Sequence, residues 1–264
     1  MQQDDIRMAA EYISSARIDG RRMSPFPGGM RPSNEADAYS VQAEVHRILA
    51  ANQRGRTVGY KIGCTTPVMQ EFLGIPNPCA GALYQPSVYF QEGMLKHASY
   101  LHPGVEAELA VFLGSDITAR DGGHTRDTVT DAVQALFVGI EIVDDRWDDY
   151  KAIDTPSLIA DDFFGAGCVV GDPVTAWRDL DLTNLRGEMR INGTTIGSGT
   201  SGDILGHPFE ALAWLANSVT ERGETLHRGQ IVMLGSVVQT RWVEHMDEVE
   251  VEVEGLGKVT AWFG

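Results

Sequence analysis

Between residues 4 and 18, Ile6, Ala9, Ala10, Ile13 and Ile18 recur at roughly helical spacing, which predicts an amphipathic helix stopped by Gly20. The next stretch, RRMSPFPGGMRPS, is too rich in proline and glycine for regular structure. Ser33 or Asn34 is placed to cap a second helix, with Ala36, Tyr39, Val41, Val45, Ile48 and Leu49 on or near its buried side. That helix is expected to end near residues 52–55. From Val58 onward the period shortens to two. VGYKIG, SVYF, EAELAVFLG, LFVGIEIVDD, GCVVG, GEMRINGTTIGSG, GQIVMLGS and DEVEVEVEGLGKVTAWFG read as strands between glycine, proline or aspartate turns. Asn192–Gly193 between alternating residues is a strong hairpin signal.

Three helices are expected among these strands: TPVMQEFLG at 66–74, a segment near 126–136, and a longer one from Pro208 to about residue 222, stopped by Gly223. GSGTSGDILGHP (197–208) reads as a loop of small and hydroxyl residues running into the last of these. The pattern predicts an α+β chain, with a helical N-terminal segment over 1–57 and a mostly β core over 58–264.

The totals narrow the class. A chain of 264 residues with 43% hydrophobic content can bury a sizeable core, and 29 glycines suit many tight turns. A formal net charge of −16 repels phosphate backbones and acidic lipid, so neither nucleic acid nor a membrane surface is an expected partner. Cys64, Cys79 and Cys168 form neither a disulfide framework nor a CxxC metal pattern. The acidic start and the lack of a long apolar run give no sign of a signal peptide or a membrane span, and the expected location is the cytoplasm.

One strand carries residues that its pattern does not explain. In GVEAELAVFLG (104–114), apolar residues fill both faces toward the C-terminal end, yet Glu106 and Glu108 share one face. In LFVGIEIVDD, Glu141 stands between two isoleucines, with Gly139 next on its own face and room for something to approach. Carboxylates buried together are costly unless a cation joins them. An oxygen-only set suits a hard ion such as Mg²⁺ or Mn²⁺. Acids on an exposed edge strand would also explain the pattern. Lys61 interrupts the strand GYKIG between Gly59 and Gly63 on its own face. It either binds an anion or moves a proton, or it is an edge lysine that discourages aggregation. His207 and Glu210 fit the start of a helix better than catalysis. DDRWDDYKAIDTPS (144–157) reads as a solvated acidic loop.

GYKIGCT, LHPGVEAELAVFL, VGIEIVDDR, IADD, GSGTSGDILGHPFEALAWLA and GQIVMLGS together resemble the fumarylacetoacetate hydrolase superfamily. The similar branch is that of the 2-hydroxypenta-2,4-dienoate (2-keto-4-pentenoate) hydratases and 4-oxalocrotonate decarboxylases. The resemblance covers nearly the whole chain. It implies a mixed β-roll, a homo-oligomer, and an Mg²⁺ or Mn²⁺ site made by Glu106, Glu108 and Glu141. It further implies Lys61 beside a bound 2-oxo or 2-hydroxy acid, and substrate contacts from Asp161, near the site mouth, and from Ser198 and Thr200. Asp162 stands where the branch usually has an amide. Cys79, in NPCAG, stands where its hydratases tend to have an acid.

The implied activity is metal-dependent addition of water to a 2-hydroxy-2,4-dienoate. Decarboxylation of a 2-oxo diacid or C–C hydrolysis of an acylpyruvate would use the same site. A catalytically silent subunit paired with an active pathway decarboxylase or hydratase is a further alternative, against which the intact Glu106, Glu108, Glu141 and Lys61 argue. The substrate's tail is expected to be read by the loops at 20–33 and 145–165.

Overall fold

The computed structural model describes residues 1–52, 55–66, 69–71 and 74–264. The N-terminal helix, α1, runs Gln3–Asp19 and buries Ala9, Ala10, Ile13 and Ala16 along one stripe. The second, α2, runs Glu35–Ala51, and its N-cap is Asn34, whose side chain accepts the Asp37 N–H at 2.9 Å. That bond satisfies one of the donors a helix start leaves open.

Among the described residues, twelve strands follow. They are β1 (Thr57–Gly63), β2 (Cys79–Tyr84), β3 (Val88–Phe90), β4 (Glu92–Leu95), β5 (Pro103–Leu113), β6 (Val133–Asp144), β7 (Gly165–Val170), β8 (Arg186–Ile191), β9 (Thr194–Thr200), β10 (Ile231–Trp242), β11 (Glu248–Val253) and β12 (Gly257–Phe263). Among the described residues, besides the helical residues 69–71, the helices α3 (Arg126–Thr130), α4 (Thr155–Ala160) and α5 (Pro208–Glu221) lie among them. Among the described residues no helix is long and apolar enough to cross a membrane.

Seven strands form one sheet in the order β2-β1-β10-β5-β6-β7-β3, and five form a second in the order β4-β12-β11-β8-β9. The larger sheet curls until β2 comes back against β7, so it has an inner and an outer face. On the outer face Val105, Ala107, Leu109, Val111, Val138, Ile140 and Ile142 join the main core with the helices and the smaller sheet. On the inner face Ala110, Phe137, Cys168, Val170 and Met233 form a separate small apolar cluster. β5 and β6 are thus buried on both sides, as their continuous apolar content requires.

The β8–β9 turn has Asn192 at φ 51° and Gly193 at φ 76°, the pair of left-handed residues that a two-residue hairpin needs. Several expectations are corrected. The helix expected over 126–136 ends at Thr130, and the apolar residues after it begin β6 because they alternate across two buried faces. The strand expected as far as Gly199 ends at Thr200, paired to β8, so the loop read over 197–208 begins only after it. β2 and β4 were not legible as strands, because small residues in CAGALY and a single short alternation in EGML carry little β signal. The acidic segment 144–157 is not simply solvated: Asp144, Asp145, Arg146 and Trp147 are buried. Of the helix expected at 66–74, residues 69–71 are helical, and 67–68 and 72–73 lie outside the described residues.

Candidate active site

The antiparallel register of β5 and β6 sets Glu106 directly opposite Glu141 and Glu108 opposite Gly139. All three glutamates therefore project from the inner face. Each offers a carboxylate oxygen, and these atoms lie within 4.8 Å of one another. Glu108 and Glu141 are buried and Glu106 is partly so. The space beside Gly139 is not open: a side chain there would meet Met233 Cε at 2.8 Å. Glycine at 139 admits the Met233 methyl.

Like charges set opposite each other in a sheet repel, so their partners matter. Lys61 pairs in register with Met233 of β10, and its Nζ is 2.9 Å from Glu141 Oε1. That contact is an ion pair without hydrogen-bond alignment, because both Glu141 oxygens and Glu108 Oε1 lack hydrogen-bonding partners. Glu108 Oε2 accepts the Gly235 N–H at 3.1 Å. The Thr240 hydroxyl donates to Glu106. Gly235 has φ 131°, and a side chain there would collide with Thr65, so only glycine lets this N–H face Glu108.

The electrostatics follow. Burial, then Glu141, pushes the Glu106 carboxyl up to about 7, and Lys61 and Thr240 oppose this only in part. Burial, then Glu141 and Glu106, raises Glu108 well above the usual carboxylate range. Burial alone would lower Lys61, but Glu141, Glu106 and Glu108 outweigh it and hold the ammonium above its ordinary value. One ammonium against three ionised carboxylates leaves an excess that a divalent cation neutralises. Orphaned buried oxygens and an all-oxygen donor set fit a hard divalent ion.

A second charged cluster supports the wall of this site. Asp162 is fully buried. Its carboxylate accepts from Arg17 Nη1 at 2.7 Å, the Ala82 N–H at 3.0 Å and the Tyr84 hydroxyl at 3.2 Å, and it lies 2.7 Å from His46 Nε2. Burial works against its charge, but His46 and Arg17 prevail and hold the carboxyl well below its ordinary value. Asp162, Phe163 and Phe164 have φ of 55°, 47° and 66°, three successive non-glycine residues in the left-handed region. Such a conformation costs about 1–2 kcal/mol per residue and persists only where surrounding contacts fix it. The result is an aromatic arc. The Phe163 ring lies 5.5 Å from Lys61 Nζ. Phe163 meets Phe164, Phe164 meets Tyr150, and Tyr150 meets Trp242, which stacks on His102 at 4.1 Å.

Asp161, expected at the site mouth in contact with substrate, is fully buried instead. Both its oxygens accept from Arg146 Nε, at 2.9 and 3.2 Å. Arg146 also donates to the Asp161, Phe164 and Gly165 carbonyls, so the pair fixes the turn that carries the two phenylalanines. Ser198 and Thr200 lie on β9. Gly197 and Gly199 of that strand pack against Val238 and Val237 of β10, close in sequence to Thr240. The Thr200 N–H donates to Asp203 Oδ2 at 2.9 Å, which caps the turn that follows. His207 Nδ1 accepts the Phe209 N–H at 3.0 Å, so it serves α5 as a cap. Thr240, Gly235, Phe163 and Arg146 were missed by the sequence reading. The alternation in VVQTRW, continuing β10 past Ser236, was the available signal for Thr240.

Residues 88–263 match the fumarylacetoacetate (FAA) hydrolase C-terminal family. The chain belongs to the fumarylacetoacetate hydrolase family. Among curated relatives, it is 31% identical over 263 residues to a 2-keto-4-pentenoate hydratase from Burkholderia vietnamiensis, covering 98% of each chain. It is 29% identical over 264 residues to a 4-oxalocrotonate decarboxylase from Pseudomonas putida, covering 100% of this chain and 98% of the relative. Among solved structures, 4-oxalocrotonate decarboxylase from Pseudomonas putida G7, complexed with magnesium and adipate, superposes with a TM-score of 0.92 at 27% identity. That match spans 100% of this chain and 99% of the other. The expected α+β roll of a fumarylacetoacetate hydrolase family member, preceded by helices, is the fold observed.

Proposed function

We propose that the protein is a metal-dependent lyase that adds water to a 2-hydroxy-2,4-dienoate of the 2-keto-4-pentenoate type, with Mg²⁺ or Mn²⁺ held by Glu106, Glu108 and Glu141. The observation that carries this reading is the convergence of three carboxylates and one ammonium on the inner face of the roll. The two kinds of curated relative agree with it, since hydration and decarboxylation both pass through an enolate. Such an ion, when bound, supplies the positive charge that draws in the substrate's carboxylate and 2-oxygen and stabilises the developing enolate.

The chain's own groups do the rest. Lys61 stays cationic near neutral pH, so Nζ acts as a donor: it holds the anionic end of the substrate and passes a proton toward the dienolate rather than taking one. Phe163 covers Lys61 and keeps bulk water from it. Asp161 acts through Arg146 as a positioning residue. Ser198 and Thr200 are assigned hydroxyl contacts at the β9 side of the site. The protein is read as a cytoplasmic homo-oligomer able to associate with a pathway decarboxylase or hydratase.

One observation favours a second reading, decarboxylation of a 2-oxo diacid. Cys79 is fully buried at the start of β2, and a hydrogen bond with Cys64, together with burial, raises its thiol. It stays protonated and cannot replace a carboxylate that relays protons to water. The deciding experiment strips metal with chelator, restores Mg²⁺ or Mn²⁺, supplies 2-hydroxypenta-2,4-dienoate or 4-oxalocrotonate, and identifies products by mass. Water addition that appears only with metal is the expected result. Loss of carbon dioxide without hydration transfers the assignment to decarboxylase, and metal-independent turnover removes the glutamates from the mechanism.

A further inference from the structure

The three carboxylates of the site do not keep both oxygens open. Glu106 Oε1 accepts the Thr240 hydroxyl, Glu108 Oε2 accepts the Gly235 N–H at 3.1 Å, and Glu141 Oε1 lies 2.9 Å from Lys61 Nζ. One oxygen of each glutamate thus faces a proton-bearing group of the protein. Among the described residues, Glu108 Oε1 and Glu141 Oε2 have no hydrogen-bonding partner. The cluster therefore presents a cation with one uncommitted oxygen per carboxylate.

The Thr240 contact is built by the irregular course of β10. Ser236 pairs with Glu108, Val238 with Ala107 and Arg241 with Val105, so β10 spends more residues than β5 on the same stretch of ladder. The surplus bulges, and bulges re-aim side chains. Thr240 comes to lie over Gly104, two residues before Glu106 on the same face of β5. A Cβ at 104 would meet Thr240 Cγ2 at 3.1 Å and Trp242 Cε3 at 2.8 Å, so glycine there admits the Thr240 methyl. A β-branched side chain has few χ1 states. With its methyl seated on Gly104, Thr240 has its hydroxyl fixed toward Glu106.

We infer that Thr240 is a positioning residue: it holds Glu106 to ligation through one oxygen and thereby sets which divalent ion the site prefers. The inference rests on the functional reading for the presence of an ion at the glutamates. Mg²⁺ takes about six oxygens in a tight octahedral shell, whereas Ca²⁺ takes about six to eight and accepts both oxygens of one carboxylate. Carboxylates that give one oxygen each suit the smaller ion and leave places on it for substrate. Glu106 is the ligand most able to change. It is half-buried and tied by a single side-chain hydroxyl, whereas Glu108 is tied by the backbone and Glu141 by a buried ammonium. Without the hydroxyl, Glu106 can turn both oxygens to the ion, and the balance moves toward Ca²⁺.

The test titrates the full, chelator-stripped chain with Mg²⁺ and with Ca²⁺ by calorimetry and reads the ratio of the two dissociation constants. Thr240→Val and Thr240→Ala are each expected to move that ratio toward Ca²⁺ by at least about tenfold, the usual scale for losing a group that orients a metal ligand. Valine keeps the branch and alanine removes it, so a folding defect in one leaves the other to decide. Thr240→Ser keeps the hydroxyl and is expected to stay near the original ratio. A purely structural role for Thr240 would weaken both ions equally. An unchanged ratio in the hydroxyl-free variants, or a serine variant that shifts as valine does, overturns this inference alone, since the unaltered chain would still bind metal. No binding of either ion by the unaltered chain overturns it together with the functional reading.

Discussion

Lys61 Nζ lies 2.9 Å from Glu141 Oε1, with both residues buried on the inner face of the roll. Two other glutamates stand within reach, so this ammonium is the countercharge of the cluster, and the proposed mechanism also makes it the proton donor. Lys61→Met is expected to lower kcat by about 10²- to 10⁴-fold, the usual scale for losing a positioned acid. Metal affinity is expected to persist, because the three carboxylates remain. Steady-state kinetics alongside a metal titration checks this; unchanged kcat would remove Lys61 from the chemistry.

Glu108 accepts one backbone N–H through Oε2 and leaves Oε1 unpaired. Glu108→Gln keeps shape and the acceptor but removes a charge from the donor set. Metal affinity and turnover are expected to fall together, by at least about tenfold each. A variant that keeps full metal-dependent activity would show that Glu108 is no ligand.

The raised carboxyls give a pH signature in metal-free protein. Glu106 is pushed up to about 7 by burial and by Glu141, against about 4.3 in an unfolded chain. For an acid with a raised folded pKa, the stability contribution is full below the unfolded value and lost as pH rises through the folded one. Chelator-treated protein is therefore expected to melt at a lower temperature at pH 8 than at pH 5.5. Mg²⁺ is expected to restore more of the midpoint at pH 8, with proton release on binding. Equal midpoints at both pH values without metal would contradict this.

Asp162 has the opposite sign. His46 and Arg17 hold its folded pKa below the ordinary value, so its contribution is present above about pH 4 and lost as pH falls. Asp162→Ala is expected to cost about 3–5 kcal/mol, because it removes the buried acceptor that Arg17, His46, Tyr84 and the Ala82 N–H share. Asp162→Asn keeps acceptor capacity and is expected to cost less. Denaturant unfolding at pH 7 gives both values. Equal losses would mean that the charge of Asp162 does not matter.

The sequence by itself determined which residues are anomalous. Local alternation put Glu106 and Glu108 on one face of β5, set Glu141 inside an apolar strand, and placed Lys61 between two glycines. Side-chain direction along a strand has a period of two whatever the strand pairs with. The cap at Asn34, the helix start at His207–Pro208 and the hairpin at Asn192–Gly193 were legible for the same reason, since each is a contact between near neighbours.

Only the tertiary structure decided what those residues meet. The register that sets Glu106 opposite Glu141 is a pairing between strands, and a slip of one residue would send the carboxylates to the other face. The curl that brings β1 and Lys61 to the glutamates runs through β10, the partner of both β1 and β5, more than a hundred residues later in the chain. The left-handed turn at 162–164 contradicts local preference and stands because Arg17, His46, Tyr84 and Arg146, drawn from four separate segments, hold it. No window along the chain contains those four partners, so the wall of the active site is set by long-range closure rather than by pattern.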